Sequence, residues 1–183
     1  MITTPHPDLP DVYRIALQVH HDERGFFVER WSGPVLASLD LPPFVQDNHS
    51  RSHRGVIRGL HFQVPPHVQG KLVSAVHGRV FDVAVDLRTN SATFGCWAGA
   101  ILDGDAPTWL WIPPGFAHGF LTLSERADVL YKVTAGYAPD AEGGLAWDDP
   151  DVGIDWPLGK IGRPILSPKD ARWPRLHELR SPF

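Results

Sequence analysis

The chain alternates between short apolar segments and polar turns, and the apolar segments have the period of two that is typical of β-strands. The clearest strand is Val80–Leu87, whose odd-numbered positions are apolar while Asp82, Ala84 and Asp86 fall on the opposite face. The residues His77–Arg79 before it predict a tight turn. This pattern recurs along most of the chain.

The same pattern predicts further short strands, and these are Val12–Val19, Phe26–Trp31, Phe44–His49, Val56–Gln63, Lys71–His77, Cys96–Leu102, Thr108–Ile112, Phe116–Leu121 and Asp128–Val133. A helix of at most two turns is predicted over Pro34–Leu39, and the polar run Ser50–Gly55 is predicted to separate two strands. With 17 glycines and 18 prolines, the chain leaves little room for long helices.

Short strands at even spacing, separated by Gly, Pro and Asp, predict an all-β fold of the sandwich or jelly-roll type. We expect residues 1–183 to form one domain, with a barrel core at about 44–137. The segment 138–183 is richer in Pro, Asp and Gly, and we expect it to wrap the outside of the barrel.

The composition is that of a soluble globular protein, with 43% hydrophobic and 21% charged residues. A net charge of -4 gives no support to a nucleic-acid or membrane-surface partner, since phosphate backbones recruit basic faces. The single cysteine, Cys96, excludes an intramolecular disulfide and favours a reducing compartment. No signal peptide or membrane span is visible, so a cytoplasmic location is predicted.

Several polar side chains fall on strand faces that are otherwise apolar. His61, Lys71, His118 and Tyr131 are candidates for the barrel interior, and Arg58 lies beside His61. A buried ammonium is costly unless it is paired or used, so Lys71 is either functional or a strand-end lysine that reaches solvent. Each of the other groups is either part of a site or is satisfied by backbone partners.

Arg58 and His61 present a parity problem, because residues three apart on an ideal strand point to opposite faces. Either a bulge lies between them, for which Gly59 is suited, or one of the two is outside the site. A metal site is the other hypothesis for this barrel, but the ten histidines include no His-x-His pair, and no strand with a histidine has a nearby carboxylate at ligand spacing.

The chain resembles the dTDP-4-dehydrorhamnose 3,5-epimerases, a family of cupin-like jelly-roll dimers that work without a metal or other cofactor. The segments that carry the resemblance are Asp22–Glu29, Gln46–Ser50, Arg58–Gln63, Gln69–Leu72, Phe81–Arg88, Pro113–Phe120, Tyr131–Lys132, Trp147–Pro150 and Leu166–Asp170. The resemblance implies a cupin-like jelly-roll β-barrel with short peripheral helices and a homodimer.

The resemblance also implies a reaction, the inversion of C3 and C5 in dTDP-4-dehydro-6-deoxy-D-glucose to give dTDP-4-dehydro-L-rhamnose. By this resemblance His61 is the base, Asp170 orients it, Tyr131 is the acid and Lys71 stabilises the enolate oxygen. The implied substrate-binding residues are Arg24, Glu29, Gln46, Asn48, Arg58, His118, Tyr137, Glu142 and Lys169, with Tyr137 stacked on the thymine.

Two alternatives stay open at this point. One is an enzyme of the same fold that inverts C3 only or isomerises a related dTDP-4-keto sugar. The other is a metal-dependent or non-enzymatic cupin, against which the presence of both His61 and Tyr131 counts.

Overall fold

The computed structural model describes residues 2–34 and 38–183, which form two antiparallel sheets and a separate hairpin. The first sheet has six strands in the spatial order β1 (Ile2–Pro5), β2 (Tyr13–Ala16), β10 (Thr108–Ile112), β7 (Lys71–His77), β12 (Arg126–Val133) and β5 (Gln46–His53). The second has five strands in the order β13 (Glu142–Gly144), β6 (Ile57–Gln63), β11 (Phe116–Thr122), β8 (Arg79–Asp86) and β9 (Trp97–Asp103). The hairpin is made of β3 (Val19–Asp22) and β4 (Gly25–Val28).

The two sheets pack face to face, which confirms the predicted all-β jelly roll, although the described strands do not close into a continuous barrel. Four short 3₁₀ turns lie in the C-terminal part of the chain, at Pro139–Ala141, Gly159–Ile161, Asp170–Arg172 and Leu176–Glu178. None of the helices in the described part of the chain has the length and apolar character that a membrane crossing needs.

The space between the sheets is filled by the inward positions of alternating strands, as the period of two requires. Val73 and Ala75 of β7 and Val129 of β12 meet Phe116 and Phe120 of β11, and all five are buried. Lys71, His118 and Tyr131 continue these same inward rows. The apolar rows therefore become a polar site along the same strands.

The outer faces of both sheets are also covered. On the five-stranded sheet, Val83 and Leu121 pack against Leu145, Val152 and Trp156 from the segment that follows the last long strand. Because of this layer, β8 and β11 are largely buried on both faces. On the six-stranded sheet, an outer cluster contains the buried tryptophans Trp109 and Trp111 together with Leu39, Leu41 and Phe44.

Most strand positions agree with the alternation in the sequence, and β7 and β10 have the predicted bounds. The predicted break at Ser50 is wrong, because β5 continues to His53 in unbroken register with β12. Its polar residues resembled a loop since β5 is an edge strand whose inward face borders a cavity and not the apolar core. The helix predicted over Pro34–Leu39 includes residues 35–37, which lie outside the described residues.

Candidate active site

A two-part cavity between the sheets brings together most of the predicted site residues. Its two recesses, of about 320 and 380 Å³, share His61, Lys71 and Tyr131. The first recess is also lined by Ser50, Arg58, His118, Phe120, Ser167, Lys169 and Asp170. The second is also lined by Gln46, Asn48, Phe62, Gln63, Gln69, Tyr137 and Glu142. A larger surface cleft of about 580 Å³ borders Asp170, but its lining includes neither His61 nor Tyr131.

A β-bulge allows Arg58 and His61 to face the same recess. Across the pair of β6 and β11, His61 is opposite His118 and Arg58 is opposite Phe120, so β6 has one extra residue between them. Gly59 has a φ of 122°, and a Cβ placed there would lie 2.6 Å from the Cα of Gly119. The bulge predicted at Gly59 is present, and it resolves the parity problem.

His61 forms a close pair with Asp170 from the C-terminal segment. Its Nε2 is 2.6 Å from Oδ1 of Asp170, so the ring nitrogen left to face a ligand is Nδ1. Burial acts to raise the pKa of Asp170, but the hydrogen bond with His61 and further bonds from Ser167 and Trp173 outweigh it and lower the pKa. An ionised Asp170 fixes the orientation of the imidazole and stabilises its protonated form.

Lys71 is a buried cation beside this histidine. Its side chain is 7% exposed, and Nζ donates a hydrogen bond to the backbone carbonyl of His61 at 3.1 Å. Burial lowers the pKa of Lys71 to about 8, while Asp82 and Glu142 act in the opposite direction. The ammonium is thus held largely out of contact with water, where it interacts strongly with any oxygen that develops negative charge.

Tyr131 lies on the six-stranded sheet, which faces the sheet that carries His61, and it lines both recesses of the cavity. Burial raises the pKa of Tyr131; Arg58 acts against the increase and Glu142 adds to it. The raised pKa keeps the phenol protonated at neutral pH. Its hydroxyl makes no hydrogen bond to residues 2–34 and 38–183, so it is available to a ligand. His61 and Tyr131 therefore belong to different sheets, with His61 on β6 and Tyr131 on β12.

His118 and Asp82 form a second buried pair in the cavity wall. The Nε2 of His118 is 3.0 Å from both carboxylate oxygens of Asp82. Burial lowers the pKa of His118 despite the opposing effect of Asp82, which favours a neutral ring. A neutral ring that donates Nε2–H to Asp82 presents Nδ1 as a hydrogen-bond acceptor.

Several polar groups of the two recesses are linked by hydrogen bonds near the exposed Tyr137. Lys169 Nζ lies 2.8 Å from both carboxylate oxygens of Glu142, and the hydroxyl of Tyr137 donates to the same carboxylate at 2.9 Å. Tyr137 is 55% exposed, which leaves its ring free for stacking. The Gln46 side chain donates to Asn48 at 2.7 Å and accepts from the backbone of Tyr137 at 3.0 Å.

Arg24 and Glu29 are the predicted site residues that this chain does not bring to the cavity. Arg24 belongs to the tip of the β3–β4 hairpin, where it is exposed and pairs with Asp22 of its own turn. Glu29 lines a different recess, with Ile2 and Phe27 among its neighbours.

Sequence reasoning missed Asp82, Ser50, Ser167 and Trp173 as parts of the site. Asp82 had a signal, since a carboxylate in the row of β8 that faces the interior needs a buried partner. Ser50 also had one, since it continues the row of Gln46 and Asn48 with a period of two. Ser167 and Trp173 had none, because they come from irregular chain and reach Asp170 only through the fold.

No group of three or more His, Cys, Asp or Glu side chains is placed to hold a metal within residues 2–34 and 38–183.

Comparison with known proteins supports a single family. The family model for dTDP-4-dehydrorhamnose 3,5-epimerase matches residues 6–178. The dTDP-4-dehydrorhamnose 3,5-epimerase of Salmonella typhimurium is 49% identical over 172 residues, which cover 93% of each protein. The structure of the epimerase RmlC from Legionella pneumophila, in complex with dTDP-4-keto-L-rhamnose, superposes with a TM-score of 0.89 at 47% identity and covers 94% of this chain and 92% of that one.

A relative of different specificity shares the fold. ChmJ, a 3′-monoepimerase from Streptomyces bikiniensis solved with dTDP-quinovose, has a TM-score of 0.88 and 32% identity over 95% of this chain and 88% of its own. The identity to the 3,5-epimerases is higher, and the family model extends over nearly the whole chain. The chain belongs to the dTDP-4-dehydrorhamnose 3,5-epimerase family.

Proposed function

We propose that this protein is an isomerase that inverts C3 and C5 of dTDP-4-dehydro-6-deoxy-D-glucose and forms dTDP-4-dehydro-L-rhamnose. The observation that supports this best is the placement of His61 and Tyr131 on facing sheets, with the buried Lys71 lining the same cavity. A sugar ring between them meets a base on one face and an acid on the other. Inversion next to a ketone needs this arrangement.

In each inversion the C–H proton passes to Nδ1 of His61, and its electron pair moves through the new C=C bond to the C4 oxygen. Lys71 stabilises this enolate, a contribution of about a hundredfold to a thousandfold in rate for one such donor. Tyr131 then delivers a proton to the opposite face of the carbon, and exchange with solvent restores both residues before the second inversion. The proposed steps use protein side chains alone, without a metal or other cofactor.

The remaining predicted residues are assigned to the nucleotide and the sugar. Arg58 and Lys169 would bind the diphosphate, for which a guanidinium fork and an ammonium are suited. Tyr137 would stack on the thymine, with Gln46, Asn48, His118 and Glu142 as further contacts.

We also propose a homodimer in which the partner subunit's Arg24 and Glu29 complete this site. The hairpin that carries Arg24 is exposed together with Phe26 and Phe27, which are 45% and 69% exposed, and such apolar surface is typical of an interface. A cytoplasmic location is proposed with it, since a lone cysteine fits a reducing compartment.

The test is to incubate the protein with the 4-keto sugar nucleotide in deuterated water and to locate the label by NMR. We expect deuterium at C3 and C5, and no label at either carbon with His61→Ala. Label at C3 alone would instead support the specificity of the monoepimerase ChmJ, and a protein without any exchange would contradict the enzymatic proposal.

A further inference from the structure

The hydroxyl of Ser50 is a buried polar group without a hydrogen-bond partner. Among the buried side-chain nitrogen and oxygen atoms of residues 2–34 and 38–183, only Ser50 Oγ and Thr122 Oγ1 have none. Ser50 lines the first recess of the cavity, whereas Thr122 lines neither recess. Buried hydroxyls are nearly always satisfied in native proteins, so one left open in a cavity wall indicates a partner that arrives with the ligand.

The other polar groups in the same row are already bonded within the protein. The inward face of β5 presents Gln46, Asn48, Ser50 and Ser52 in succession. Gln46 bonds Asn48, and Ser52 accepts a hydrogen bond from Nε of Arg58 at 2.8 Å. Ser50 is therefore the member of this row whose side chain makes no hydrogen bond within the described part of the chain.

The position of Ser50 indicates which part of the ligand reaches it. It pairs across the strands with Val129, a fully buried core residue, and it shares its recess with Phe120. Phe120 offers no hydrogen bond and lines the recess together with His61 and Tyr131, while Val129 belongs to the apolar core between the sheets. The exposed aromatic ring of Tyr137 belongs to the other recess, so the base of the nucleotide and Ser50 are on different sides of the reacting groups.

We propose that Ser50 is a specificity-determining residue that hydrogen-bonds a hydroxyl group of the hexose. This inference rests on the proposed function for the identity of the sugar nucleotide. A hydroxyl can donate or accept, so the contact suits a ring substituent that does both. Ser50 holds the hexose beside Phe120 in this recess. Because Arg58 and Lys169 line the same recess, the affinity for dTDP distinguishes a contact to the hexose from one to the phosphates.

The test compares wild type with two variants, Ser50→Ala and Thr122→Val. Each variant removes one unpartnered hydroxyl. For Ser50→Ala we expect kcat/KM for the 4-keto sugar nucleotide to fall by about tenfold to a hundredfold, because a substrate hydroxyl is left unpaired. Affinity for dTDP should stay within about twofold, and the melting temperature should not fall. Thr122→Val should match wild type in kcat/KM. Ser50→Cys keeps the approximate size of the side chain but donates only a weak hydrogen bond, so its kcat/KM should lie between those of wild type and Ser50→Ala.

Calorimetric binding of dTDP-glucose and of dTDP separates this inference from the proposed function. If wild type catalyses no exchange, the proposed function fails. Ser50→Ala should still lower the affinity for dTDP-glucose and leave the affinity for dTDP unchanged. An unchanged kcat/KM together with unchanged dTDP-glucose affinity in Ser50→Ala overturns the role of Ser50. An equal loss of dTDP affinity overturns it as well, because the contact would then be to the nucleotide.

Discussion

At the scale of the residue, Lys71 shows how function and stability oppose each other in this site. The ammonium is buried and its hydrogen bond goes to a neutral carbonyl, so the fold has to stabilise a charge without a direct carboxylate partner. Burial accordingly lowers its pKa from 10.5 to about 8. The same exclusion of water strengthens its interaction with an enolate.

The pKa of Lys71 predicts an alkaline limit to activity. In the proposed mechanism the ammonium, and not the amine, stabilises the enolate, so kcat/KM should fall as the pH rises through about 8, the pKa of Lys71. This parameter reports the ionisation of the free enzyme, in which that pKa applies. The measurement is the pH profile of kcat/KM, and a flat profile up to pH 10 would contradict the role assigned to the lysine.

The same lysine should make the free energy of unfolding rise with pH, which is opposite in sign to its effect on activity. Between about pH 8 and 10.5 the unfolded chain binds more protons at this residue than the folded one, so the free energy of unfolding should rise with pH. The rise from this group is about 3 kcal/mol over that window. Lys71→Met lacks this titrating group. The difference between the wild-type and mutant free energies of unfolding, measured against pH, therefore isolates the contribution of Lys71.

At the scale of the element, the alternation of apolar and polar residues predicts strands well where they face the core. The bounds of β7 and β10 agree with it because one face of each strand is apolar. It fails at β5, because a strand that lines a polar cavity lacks the apolar face on which the prediction depends. The sequence predicts the bulge in β6 only if Arg58 and His61 are placed in one site, since local sequence does not determine register.

That bulge makes Gly59 a position that no other residue should fill. In Gly59→Ala the new Cβ meets the backbone of His118 and Gly119 at 2.6–2.7 Å and requires a positive φ. We expect the free energy of unfolding to fall by about 2 to 5 kcal/mol. The folded fraction should lose activity, because the alternative without a bulge turns Arg58 or His61 out of the cavity.

Gly33→Ala is the control, since a Cβ there meets nothing within 4 Å among residues 2–34 and 38–183 and no positive φ is required. It should alter stability by less than about 0.5 kcal/mol. Denaturant unfolding and kcat/KM measure both effects. A Gly59→Ala protein with wild-type stability and activity would mean that the bulge is dispensable.

At the scale of the whole molecule, the site is assembled from parts of the chain that no local pattern connects. The strand rows predict His61, Lys71, His118 and Tyr131 as interior groups. Asp170 is 109 residues from His61 and lies in a short turn, so only the family resemblance suggested their pairing. Arg24 and Glu29 remain predictions, because this chain alone leaves them away from its cavity.

Heterodimers provide a test of the shared site. Arg24→Ala should lower kcat/KM by about tenfold to a hundredfold through a lost charged contact, and His61→Ala should abolish activity. In a heterodimer with one copy of each variant, one site has both substitutions and the other has neither. Heterodimers purified with two tags should therefore have about half the wild-type activity per dimer. If Arg24 acts on the cavity of its own chain, the heterodimer should be as impaired as its parents.

The placement of His61 and Tyr131 on facing sheets also has a stereochemical consequence. The distance between the two sheets, about 10 Å in packed β-sandwiches, sets the gap in which a pyranose ring can lie with one face toward each residue. The handedness of the product is then governed by the thickness of the protein interior as well as by the reacting groups. Substitutions at Phe116 or Val129, which pack between the sheets without lining the cavity, would change which carbon is presented to the acid and hence the ratio of the two epimers.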